Sequence, residues 1–182
     1  MRAILSHIAF VVNNIEDVLK QKPLQGMEQG CIEAFESEGT RELYLGGQQE
    51  LGRVLLMQPV AAGPYERALK KRGAGLHHIA LDVSSITEFI SQISGSGWYI
   101  HPSGFQEFPQ SKTLFLARPG NPFLVELCER RHANEVKSFV SEMEVTLEKE
   151  ALVSVLNCAR LKPGFLNHLV ISNKSYPLRT FF

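Results

Sequence analysis

An apolar run over residues 7–12 (HIAFVV) ends at two asparagines, and another over 78–83 (HIALDV) ends at two serines. Runs of this length, bounded by turn residues, predict strands. After each run a cap residue, Asn14 or Ser85, precedes acidic residues, Glu16 and Asp17 or Glu88, which predicts a short helix. Three more strands are predicted in each half, over roughly 27–36, 40–46 and 53–58, and then over roughly 98–108, 112–117 and 123–129. Gly, Pro and Asn turns separate them.

The two halves repeat one pattern. HIAFVVNNI and HIALDVSSI share five of nine residues at an offset of 71, and the offset continues without a gap through Gln21 and Gln92, Gly26 and Gly97, Tyr44 and Phe115, and Val54 and Val125. A single offset held across a whole module marks an internal duplication. The predicted class is therefore α+β, with two βαβββ modules at 1–62 and 76–131. Between them GPYERALKKRGAG (63–75) predicts a surface linker helix with a glycine stop. Residues 132–182 form a C-terminal extension in which no second offset appears and the pattern assigns no structure.

Composition narrows the functional classes. With 44% apolar and 21% charged residues in 182, the chain has the makeup of an ordinary soluble globular protein with a core of its own. Nineteen basic residues balance nineteen acidic ones without a large cluster, so neither nucleic acid nor a membrane surface is an expected partner. A small-molecule partner is expected instead. The N-terminal stretch lacks the shape of a secretory signal, and a cytoplasmic location is expected. Cys31, Cys128 and Cys158 form no CxxC pair, which argues against a disulfide framework or a structural zinc knuckle.

Strand alternation and the repeat select the candidate chemistry. His7, Ala9 and Val11 share one face of their strand, while Ile8, Phe10 and Val12 face the helix. The repeat pairs His7 with His78 and Leu55 with Glu126. A carboxylate in mid-strand is expensive to bury unless it is paired or bound to a metal, so Glu126 needs a partner. His77 pairs with Ser6, and alternation puts it on the face opposite His78, in a packing role. Glu42 shares a face with Tyr44 and is a candidate general base, with Glu33 a less favoured one. Gln58 should point away from Leu55's face, His168 reaches the cavity only if the tail folds back, and His101 and His132 carry no signal.

The duplication, the opening strands HIAFVV and GLHHIALDV, the linker GPYERALKKRG and the closing strand NPFLVELCE resemble the glyoxalase, bleomycin-resistance and extradiol-dioxygenase superfamily, also called vicinal oxygen chelate. The resemblance covers roughly residues 5–130, and GLHHIA with its linker is most similar to methylmalonyl-CoA epimerases. It implies a curved mixed sheet around a metal cavity with ligands at His7, His78 and Glu126, and Leu55 where related isomerases carry a fourth ligand. Two imidazoles and a carboxylate suit zinc, cobalt, nickel, manganese or ferrous iron. The implied activity is an isomerase, epimerase or lyase that polarises a substrate carbonyl and moves an α-proton, with Glu42 and Glu126 as catalytic residues and an acyl-CoA thioester as one substrate class. A ferrous extradiol-type dioxygenase and a non-catalytic resistance-type binding protein stand as alternatives. Pairing of the modules within one chain or across a homodimer is left open.

Overall fold

The computed structural model describes residues 2–108, 111–130, 137–146 and 156–182. Strand β1 (Ile4–Val11), helix α1 (Ile15–Leu19) and strands β2 (Glu33–Phe35), β3 (Thr40–Leu45) and β4 (Arg53–Pro59) form the first half. Helix α2 (Pro64–Arg72) leads to β5 (Gly75–Val83), α3 (Ile86–Ser91), β6 (Tyr99–Phe108), β7 (Ser111–Ala117) and β8 (Leu124–Glu129). These eight strands make one open, curved sheet in the order β2-β3-β4-β1-β5-β8-β7-β6. Each half contributes four neighbouring strands, with β1 parallel to β4, β5 parallel to β8, and an antiparallel β1–β5 seam between the halves. The two halves thus pair within a single chain.

The duplication extends to individual hydrogen bonds. Asn14 Oδ1 accepts from Asp17 N at 2.8 Å, and Ser85 Oγ accepts from Glu88 N at 3.2 Å. Each helix start is also tied to the last strand of its half. Ile15 N donates to Gln58 Oε1 at 3.1 Å, and Ile86 N donates to Glu129 Oε2 at 2.9 Å. Such acceptors satisfy backbone donors that a helix start leaves open.

Alternation divides the apolar residues between two faces. Ile8, Phe10, Val12, Ile79, Leu81, Val125 and Leu127 join the main core on the helix side, whereas Ala9, Val11, Leu55 and Met57 cluster on the other face under Tyr65 of α2. The α2 cover comes from the predicted linker helix.

The C-terminal extension forms a second sheet, β9 (Val140–Val145), β10 (Leu161–Pro163), β11 (His168–Ile171) and β12 (Lys174–Pro177), in the order β10-β9-β11-β12. It packs on the helix side. Met143, Leu169 and Phe181 enter the main core, and the Phe181 ring stacks on Phe10 at 5.4 Å. Its entry clamps the loop before β4, where Leu51 N donates to Lys137 O at 2.9 Å and Phe139 N donates to Leu51 O at 2.8 Å. Gly46 in that loop has φ +104°, and a Cβ there would sit 2.7 Å from the Phe139 ring, so glycine is needed on both counts.

The strand predicted over 27–36 shrinks to Glu33–Phe35 with one isolated bridge from Gln29 to Leu45. An edge position offers one pairing neighbour, and Gly30 adds no side chain to hold the run in register. Among the described residues no helix is long and apolar enough to cross a membrane.

Candidate metal centre

Irregularities at the β1–β5 seam set the site. Leu5 faces Leu81 and His7 faces Ala80, so Ser6 is an extra residue on β1. Ala9 faces His78 and Phe10 faces Leu76, so His77 is the extra residue on β5. Ser6 and His77 are repeat equivalents, so the duplicated strands carry duplicated bulges. A bulge bends the strand and re-aims the adjoining side chains.

The bulge overturns the placement of His77 expected from alternation. Its Nδ1 lies 2.9 Å from His78 Nδ1, and its ring centroid lies 4.9 Å from that of Tyr65, which packs on the site-side cluster. Strict alternation ends where a residue is inserted, so the paired histidines share one environment. Of two facing Nδ1 atoms only one can donate. A hydrogen on His78 Nδ1 leaves its Nε2 lone pair free.

That Nε2 points at the other candidate ligands. His78 Nε2 is 3.2 Å from His7 Nε2 and 3.5 Å from Glu126 Oε2, while His7 Nε2 is 3.6 Å from the same oxygen. One ligand atom from each of the three residues falls within a 4.8 Å group. Burial pushes His7 down to about 3, helped by Arg130 and Arg53, and holds His78 well below the usual imidazole range. Burial also pushes Glu126 up to about 7, against the pull of Arg130. The His–Glu contacts are therefore not conventional ion pairs. Neutral imidazoles, each able to present an Nε2 lone pair, beside a buried carboxyl group form a donor set that fits a divalent cation.

Aromatic rings flank the two imidazoles symmetrically. Tyr44 meets His7 edge to face at 5.9 Å, and its repeat equivalent Phe115 meets His78 at 5.5 Å. Leu55 sits on the site face at 3% exposure, in the corner equivalent to Glu126. Glu42 lies on β3 opposite Met57, buried at 8% exposure, and Thr40 Oγ1 donates to its Oε1 at 2.7 Å. Burial pushes Glu42 up to about 7, opposed by the Thr40 hydrogen bond and reinforced by Glu38 and Glu33.

Residues set aside in the sequence lie elsewhere. Gln58 caps α1 on the helix side, Glu33 is exposed across from Glu42, and His168 stands on β11 of the second sheet near Glu144. His101 bonds to Ser103 at the surface, and His132 lies outside the described residues. Sequence reasoning missed Arg53 and Arg130. Both line a cavity of about 280 Å³ beside His7, together with Ser6, Tyr44 and the loop at Gln48. The register now explains one of them, since Arg53 lies directly across from His7 in the β1–β4 pair.

The sequence profile of the Glyoxalase/Bleomycin resistance protein/Dioxygenase superfamily matches residues 6–116. No curated protein sequence matches the chain. Among solved structures, a hypothetical protein from Bacillus halodurans C-125 is 27% identical, with TM-score 0.58 over 72% of this chain and 96% of its own. Methylmalonyl-CoA epimerase from Mycobacterium tuberculosis is 23% identical, with TM-score 0.53 over 70% and 88%. A methylmalonyl-CoA epimerase in complex with methylmalonyl-CoA and NH4+ is 21% identical, with TM-score 0.55 over 76% and 99%. At such identities the epimerases share the fold. With its duplicated βαβββ halves and a profile match over most of its length, the chain belongs to the glyoxalase, bleomycin-resistance and dioxygenase superfamily.

Proposed function

We propose that the protein is a metal-dependent isomerase or epimerase that moves the α-proton of a carbonyl compound, with acyl-CoA thioesters as the first substrates to test. The observation that carries this proposal is the convergence of His7 Nε2, His78 Nε2 and Glu126 Oε2 within 4.8 Å. His7, His78 and Glu126 would hold a divalent cation, which when bound supplies Lewis-acid polarisation of a substrate carbonyl.

The chain's own residues do the rest. Glu42 is the proposed base, because a carboxyl pushed up to about 7 is both available and basic near neutral pH. The Thr40 hydroxyl holds one of its oxygens, so the other is the one offered to the α-proton. In this reading His78 carries its hydrogen on Nδ1, where His77 Nδ1 at 2.9 Å would accept it and keep the ligand in one tautomer. Leu55, Met57 and Tyr65 line the site face with apolar surface that excludes water from it. An epimer forms when a proton is delivered to the opposite face of the same carbon, for which Glu126 is the proposed donor, and an isomer forms when Glu42 returns its proton to a neighbouring carbon.

The direct test is to load the protein with cobalt or zinc and incubate it in deuterated water with a 2-methyl-branched acyl-CoA. Deuterium at the α-carbon, lost in Glu42→Gln, is the expected result. Leu55 favours a second proposal, because without a fourth ligand the site is a two-histidine, one-carboxylate triad of the kind ferrous oxygenases use. Oxygen uptake by the iron-loaded protein with a catechol, and no α-exchange, would replace the first proposal with the second. Tight binding of a small molecule with neither activity would point to a resistance-type binding protein.

A further inference from the structure

Arg53 and Arg130 stand 77 positions apart, yet they line the same cavity as His7. Both are held by the sheet. Arg53 sits on β4 across from His7, with its guanidinium over the Tyr44 ring at 4.0 Å, and Arg130 N donates to Val83 O at 3.0 Å just past β8. Of these two charges only that of Arg130 has an ion-pair contact among the described residues, and it is a long one. Among the described residues Arg53 has no carboxylate partner, and Arg130 only approaches Asp82, at 3.9 Å, too far for a hydrogen bond. Glu50, the acid on the cavity rim, is already taken by Lys137 at 2.6 Å and Gly47 N at 2.9 Å.

A guanidinium is planar and always charged, and its parallel N–H groups match a carboxylate or phosphate. Two of them beside a small cavity form a receptor for an acidic group, and its opening on His7 puts that group next to the candidate metal centre. We infer that Arg53 and Arg130 bind a carboxylate or phosphate group carried by the substrate, which is therefore an oxo or acyl compound with a second, acidic function. The link from this group to the polarised carbonyl rests on the proposed function. The anion site itself does not.

The test separates the two. The full chain, stripped of metal with a chelator, is titrated by calorimetry with malonate, with inorganic phosphate and with uncharged malonamide. Saturable binding of malonate or phosphate is expected, weakening as sodium chloride is raised, with no response to malonamide. Preference for malonate identifies a carboxylate, and preference for phosphate identifies a phosphoryl group. Arg53→Gln with Arg130→Gln should weaken binding at least tenfold, while the paired lysine variants keep the charge, lose the fork and fall between. Binding of neither anion by the unaltered chain, or equal binding by the glutamine variants with an unchanged melting curve, overturns the inference. Anion binding without α-proton exchange leaves it standing and removes the proposed function instead.

Discussion

The two halves of the large sheet share strand order, helix caps, a seam bulge and a flanking ring for each histidine, yet their site faces differ chemically. The first presents Val11, Leu55 and Met57, with Glu42 sealed beneath, and the second presents Asp82, Glu126 and Cys128 at the equivalent positions, with Thr113 opposite Glu42. Residues that hold the scaffold have kept their chemistry across the repeat, as Gln58 and Glu129 show. Residues that face the cavity have not. One half supplies an apolar wall and a buried acid, and the other supplies the carboxylate of the candidate ligand group. The asymmetry is the functional information in the repeat, because a symmetric cavity could not treat the two faces of a substrate differently.

Making the second half like the first should have the largest effect. Glu126→Leu removes the only carboxylate of the ligand group and should weaken zinc or cobalt binding by more than about a hundredfold, measured as metal content after dialysis. The reverse exchange sharpens the comparison. Leu55→Glu buries a carboxylate at a site only 3% exposed, so the metal-free variant should melt well below the unaltered protein, by several kcal/mol at most. Added metal should then raise its melting temperature more than it raises that of the unaltered chain.

Glu42→Gln tests the sealed acid. Removing a general base should slow α-proton exchange about a hundredfold to ten-thousandfold with metal content unchanged. Its effect on stability has a defined sign. A folded-state value of about 7 against 4.5 means that between those pH values the folded chain keeps a proton the unfolded chain releases, so stability falls as pH rises through this window. Glu42→Gln should therefore be more stable than the unaltered protein at pH 8 and little different at pH 4, as read from denaturant midpoints. If Glu42 is the base, the exchange rate of the unaltered protein should rise with pH as it ionises, up to about 7.

Smaller effects probe the seam and the caps. His77→Leu removes the partner of His78 Nδ1 and should weaken metal binding about tenfold to a hundredfold, with His77→Asn recovering part of the loss. Nitrogen chemical shifts of the metal-free protein report the His78 tautomer directly, a readout that packing alone would not change. Gln58→Ala and Glu129→Ala each remove a helix-start acceptor and should each lower stability by about 1 kcal/mol. The repeat predicts similar losses in the two halves.

Much of this was legible in the sequence because duplication turns one weak signal into two. A lone histidine on an apolar strand says little, but His7 and His78 at one offset, with Glu126 at the position equivalent to Leu55, mark one place on the sheet. Alternation then sorted the faces of β1 and β8 as observed. It failed at His77, where an inserted residue breaks the period of two of a regular strand. The tail was illegible for a different reason. β9 to β12 are short strands whose apolar residues complete a core begun at the opposite end of the chain, as Phe181, just past β12, does against Phe10.

The sequence by itself determined the duplicated βαβββ plan and most strand faces, because these follow from local period and from the repeat, and it put His7, His78 and Glu126 at equivalent strand positions that the family resemblance marks as ligands. Only the tertiary structure decided that His77 pairs with His78 on one side of the seam, that Glu42 is largely buried, and that Arg53 and Arg130 line one cavity beside His7. These outcomes depend on a bulge at the seam and on burial and charge supplied by residues far apart in the chain. No window of sequence contains both partners of such an interaction, and its strength is set by the water that folding removes from between them.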